Sequence, residues 1–108
     1  MQRKFVVVFV TVPSREIGER IAKALLEQRL IACANLIEPV QSFYTWQGEM
    51  HVDKELLMVL KTRGDLFQEK LVAAIQMLHP YDVPEIIAMP IEMGAQNYLN
   101  WMEGVTSE

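Results

Sequence analysis

The chain has 108 residues, enough for one compact domain spanning residues 1–108 and too few for two. A net charge of −4 with scattered Lys and Arg argues against sequence-independent nucleic-acid binding and against adhesion to an anionic membrane, since both want clustered basic side chains. The hydrophobic share of 51% is slightly high for a soluble domain and suggests apolar surface covered by other subunits, while a single cysteine, Cys33, forbids an intrachain disulfide.

Phe5 to Val10 is a β-branched and aromatic run that reads as a strand buried on both faces or central in a sheet. It is far too short to span a bilayer, and no small-residue cleavage site follows it, so the expected location is the cytoplasm. Pro13 and Ser14 stop the strand, and Ser14 is placed to cap a helix by accepting a bond from an orphan N–H. Ile17, Ile21, Ala24, Leu25 and Gln28 recur at helical spacing between charged residues, which predicts an amphipathic helix.

Ala32 to Ile37 reads as the second strand, and Val40 to Trp46 resumes it after Glu38-Pro39. Proline removes a ladder donor, so Pro39 belongs on an edge or at a bulge. Gln47-Gly48 suits a hairpin turn into a third strand, Glu49 to Lys61, whose buried part is Leu56 to Leu60. Asp65 and Gln68 have the spacing of a capping box. They open a helix with an apolar stripe of Phe67, Leu71, Ala74, Ile75 and Leu78, which His79-Pro80 ends. Ile86 to Met93 is a fourth strand interrupted by Pro90, again at an edge or bulge; Ala95 to Met102 is a short last helix, and the tail from Glu103 onward is expected to fray.

The order β-α-β-β-α-β-α is that of an α+β, ferredoxin-like βαββαβ sandwich: an antiparallel sheet with its helices on one face, a long hairpin between the second and third strands, and a short C-terminal helix. The hairpin arms reach about 45 Å at about 3.3 Å per residue, whereas each main helix is about 21 Å long at about 1.5 Å per residue. The helices therefore leave the distal hairpin bare. That end carries Phe43, Tyr44, Trp46, Met50 and Val52, a set that favours self-association over a solvated hairpin.

Several blocks in order carry a resemblance: Thr11-Val12-Pro13, Leu30-Ile31-Ala32-Cys33-Ala34-Asn35, Tyr44-Thr45-Trp46-Gln47-Gly48-Glu49, Leu60-Lys61-Thr62, His79-Pro80-Tyr81-Asp82-Val83-Pro84-Glu85 and Asn97-Tyr98-Leu99-Asn100-Trp101. Over nearly its whole length the sequence resembles the CutA family. The resemblance implies a ferredoxin-like subunit in a homotrimer architecturally similar to the PII signalling proteins. It also implies a hairpin crossing subunit boundaries, clefts between subunits, and a link to tolerance of copper and other divalent cations.

The candidate cofactor is accordingly copper or another divalent metal, and the candidate ligands are Cys33 and His79, because a thiolate with an imidazole suits copper or zinc. Each also has a plain structural role that outweighs the ligand role for that residue alone. Cys33 is a small hydrophobe in a strand, and His79 is a helix terminator whose ring favours the negative end of the dipole. One Cys and two His are too few for a closed mononuclear site, so a site shared between subunits stays open. Some relatives place two adjacent histidines before the Pro80 position, and here the first of them is Leu78. Met89 and Met93 read as core filler, and His51 as solvent-exposed.

No nucleophile elbow, phosphate loop or catalytic pair is present in the sequence, so the expected activity is binding or regulation and not catalysis. A small-molecule or anion cleft between subunits is a further possibility, with Lys61, Glu85 and Tyr81 as its candidate residues. Tyr44, Trp46, Tyr98 and Trp101 are the candidate anchors of the trimer interface. Two functions therefore stand side by side: divalent-cation homeostasis through weak metal binding, and a PII-like signalling or scaffolding trimer that takes a small ligand or a partner protein.

Overall fold

The computed structural model describes residues 4–106. Strand β1 (Phe5–Val12) is central in a four-stranded antiparallel sheet of order β2-β3-β1-β4. One face is covered along its whole length, the other only at the Phe5 end. Val6, Val8, Val10 and Val12 are buried beneath helices, while Val7, Phe9 and Thr11 on the opposite face are half-buried.

Helix α1 (Arg15–Glu27) starts as its sequence dictates, with Ile17 N–H donating to Ser14 Oγ at 3.3 Å. It ends in a Schellman motif: Arg29 adopts the left-handed region at φ 60°, its N–H donates to Leu26 O, and the Leu30 N–H reaches back to Leu25 O. Ile21 and Leu25 pack on Leu56, Met58 and Leu60 of the sheet and on Leu71 and Ile75 of the second helical segment, forming the main core.

That second segment departs from expectation at its start. Gly64–Leu66 is a 3₁₀ turn, Phe67–Leu71 winds as a π-helix, and only then does α2 (Val72–Leu78) begin. The Asp65–Gln68 capping box does not form; no side chain caps either turn, and Asp65 instead lies 3.3 Å from Arg63 Nε. The physical reason is phasing. A π-helix bonds i to i+5, which lets Leu71 reach the core that Ile75 enters four residues later while Leu66 is buried in the turn before it.

Strands β2 (Cys33–Trp46) and β3 (Glu49–Arg63) form the long hairpin, and the molecule measures 44 × 26 × 24 Å. Pro39 sits on the edge strand within a bulge, where Ile37 pairs with Leu57 but Val40 pairs with Glu55. The extra residue changes the alternation. Cys33, Asn35 and Ile37 share the helix-free face before the bulge, and Ser42, Tyr44 and Trp46 share it afterwards. Gln47 and Gly48 both have positive φ, 53° and 80°, as a type I′ turn requires. Gly48→Ala is expected to cost about 1 kcal/mol by forcing a Cβ into that region, read as a lower denaturation midpoint at unchanged slope.

The last elements differ from the sequence expectation in extent and side. β4 (Ile86–Pro90) stops at Pro90 and does not run on to Met93, although the Ile91 N–H still reaches Phe5 O. Helix α3 (Gln96–Thr106) continues through the segment expected to fray, because Thr106 is buried and its Oγ1 donates to Met102 O at 2.7 Å. The last two residues of that tail lie outside the described residues. The helices also do not share one face. Met102 packs with Phe5 and Ala32, so α3 closes the Phe5 end of the sheet face opposite α1 and α2. Among the described residues no helix is long and apolar enough to cross a membrane.

Candidate functional site

The helix-free sheet face carries Val7 and Phe9 of β1, Leu57 and Val59 of β3, Ile37 of β2, and Ile87 and Met89 of β4. Ile37, Ile87 and Met89 are about half-exposed, at 50%, 52% and 55%. These side chains form an apolar surface on the side away from α1 and α2, beyond the end that α3 covers. Met89 and Met93, expected in the core, are exposed in the single chain because Met89 lies on this face and Met93 lies beyond the strand.

Cys33 borders the α3 end of the face. Its Sγ lies 3.8 Å from Asn35 Oδ1 and 3.9 Å from Tyr98 Oη, and Lys61 Nζ donates to the same Asn35 oxygen at 2.5 Å. The Tyr98 hydroxyl is held above its ordinary pKa, first by burial and then by its bond to Cys33. Tyr98 and Trp101 stand together on α3 with ring centroids 5.5 Å apart.

His79 is elsewhere. It is buried, with Nε2 2.7 Å from Thr11 O while Nδ1 accepts from the Tyr81 N–H at 3.1 Å. Both ring nitrogens are thus occupied, and the geometry fixes the Nε2–H tautomer. Cys33 is in register with Lys61 and Val7, four residues from Thr11 along β1, a separation of about 13 Å along the strand. The structure therefore does not bring the two candidate ligands together within one chain. Nor do three or more His, Cys, Asp or Glu side chains form a group able to hold a metal ion among the described residues.

At the opposite end, where β1 stops and the hairpin continues, the segment between α2 and β4 folds against β3 and leaves a cleft of about 540 Å³. Phe43, Tyr44 and Trp46 line it from the hairpin, and Tyr81, Asp82, Val83 and Glu85 from the connecting segment. Glu55 forms part of its wall and accepts from Tyr81 Oη at 2.8 Å. Tyr81 is pushed well above its ordinary pKa, chiefly by burial and then by that bond. The Tyr44 hydroxyl donates to Asp53, which raises its pKa as well, and its ring stacks on the half-buried His51.

Of the three residues expected in a cleft, Tyr81 and Glu85 are in this one and Lys61 is not, because Lys61 lies on the Cys33 row of β3. Without Lys61 the lining within one chain carries the acidic residues Glu55, Asp82 and Glu85 and no basic side chain. Glu55 was not legible as a site residue. It simply precedes the apolar run of β3, and its bond to Tyr81, which folds back from the α2–β4 segment, is not visible in the sequence.

Comparison with known proteins fits this architecture. The family model described as CutA1 divalent ion tolerance protein matches residues 6–105. The chain belongs to the CutA1 family. It is 50% identical over 96 residues to the divalent-cation tolerance protein CutA of Thermus thermophilus, covering 89% of this chain and 92% of that one. The chloroplastic CutA of Arabidopsis thaliana is 42% identical over 94% of this chain, which spans only 55% of that protein's length. Among solved structures, CutA1 of Oryza sativa superposes with a TM-score of 0.93 at 39% identity, covering 99% of this chain and 97% of that one. The CutA1 fold is thus shared across almost the whole length, including the long hairpin and α3.

Proposed function

We propose that the protein is a cytoplasmic homotrimer of divalent-cation tolerance that acts by binding and not by catalysis, with copper or another divalent metal held weakly where subunits meet. The observation that carries this reading is the uncovered apolar sheet face bordered by Cys33. One chain offers too few converging donors, and association over that face would pool the thiols of several chains. The relatives named for divalent-cation tolerance support the same direction.

Calorimetric titration with Cu(I), Cu(II) and Zn(II) tests it. Cys33→Ser is expected to weaken Cu(I) binding by tenfold or more while the particle mass by light scattering stays unchanged. Equal Cu(I) binding by parent and variant would end the sulfur-site reading. A PII-like signalling or scaffolding trimer would then be the better description, and the cleft beside Tyr81 is the observation that favours it.

A further inference from the structure

The carboxylate of Glu55 is unusual in this molecule. Its residue is only 8% exposed, yet it receives one hydrogen bond, from the neutral Tyr81 hydroxyl, and no Lys, Arg or His pairs with it among the described residues. A carboxylate has about four acceptor positions, and a buried charge without a counter-charge is costly. Glu55 also forms part of the cleft wall, with Asp82 and Glu85 further along the lining. The cleft therefore has a fixed demand for positive charge that the chain itself does not meet.

The form of that positive charge follows from what surrounds it. Among the described residues the acidic groups of the lining do not form a set of three able to hold a metal ion, which is what a divalent cation would require. The same lining carries the rings of Tyr44, Trp46 and Tyr81. Aromatic faces attract ammonium and guanidinium groups through the ring quadrupole, and they also accept an apolar stem. A volume of about 540 Å³ is in the range of small-molecule sites.

We propose that this cleft binds a small organic cation, an ammonium or guanidinium group on a short apolar stem, with Glu55 as the buried counter-charge and Trp46 and Tyr81 as ring contacts. The inference is independent of metal binding at Cys33, which lies at the other end of the sheet.

The test is calorimetric titration of the intact protein with 1,4-diaminobutane and n-butylammonium at low ionic strength, with 1-butanol as the uncharged control. The amines are expected to bind saturably at one per chain, and 1-butanol not at all. Glu55→Gln keeps the shape and the acceptor for Tyr81, and should weaken amine binding by tenfold or more. Glu85→Gln, an exposed change that leaves the fold alone, should weaken it severalfold, and Glu19→Gln on α1 should have no effect. Absence of saturable amine binding by the parent overturns the proposal, as does equal binding by Glu55→Gln and Glu85→Gln. If the parent binds no amine and Glu55→Gln instead lowers the particle mass, the counter-charge is a basic side chain of a second copy and the small-ligand proposal falls. Loss of Cu(I) binding in Cys33→Ser with amine binding intact, or the reverse, separates the two sites.

Discussion

Ile87→Asp is expected to turn the proposed trimer into monomers at micromolar concentration. Ile87 lies in register with Phe9 on the helix-free face and is 52% exposed in the single chain. If that face is the subunit interface, the new carboxylate is trapped between apolar surfaces without a partner, at a cost of several kcal/mol. Each 1.4 kcal/mol is about tenfold in affinity, so association should weaken by at least about 10²-fold. Met77→Asp on the outer side of α2, where the side chain is already in water, is the matched control and should leave the mass unchanged. Analytical ultracentrifugation of both variants decides the point. An Ile87→Asp protein that keeps the parental mass would show that this face is not what joins the subunits.

Leu60→Ala should be the most damaging single truncation within a subunit. Leu60 is fully buried on β3, paired with Val8 on one side and Ala34 on the other, in the cluster that also holds Ile21, Leu25 and Met58. Removing three carbons from a site hemmed in by two strands and two helical segments costs the transfer energy and leaves a cavity, together about 2–5 kcal/mol. Leu26→Ala, an exposed position on α1, should stay within about 0.5 kcal/mol. Denaturant unfolding must be run at one fixed protein concentration, since association of native subunits adds to apparent stability. Similar midpoints for the two variants would contradict the placement of Leu60 at the centre of the core.

What was legible in the sequence is what local chemistry decides. Ser14 accepts the bond its type suggests, Gln47-Gly48 turns where alternation breaks, and Pro39 sits in the edge-strand bulge that its missing donor demands. The departures arise where a distant contact outvotes the local pattern. Asp65 and Gln68 have capping spacing, but the burial of Leu66 and the core packing of Leu71 go with a wider winding. Thr106 lies in the polar tail, yet the packing of Met102, Leu99 and Val105 with Phe5 and Ala32, and the bond from Thr106 to Met102 O, keep the helix intact. At the site, the aromatic hairpin and the Tyr81 segment were readable as chemistry-bearing. Their grouping with Glu55 instead of Lys61 depends on register across three strands, which no single stretch of sequence displays.

The one-residue bulge at Glu38-Pro39 makes β2 a strand with two independent readouts. Upstream, odd-numbered positions answer to the shared apolar face; downstream, even-numbered positions answer to the cleft. A substitution in either half is therefore judged against a different neighbourhood, and the two halves are free to diverge. Deleting the bulge's extra residue would restore unbroken pairing and leave Tyr44 opposite His51. A single-residue insertion just after Val40 acts otherwise: it would send Phe43 and Thr45 to the places now held by Tyr44 and Trp46, exchanging the cleft's ring contacts in one step while Cys33 and Asn35 stay where they are.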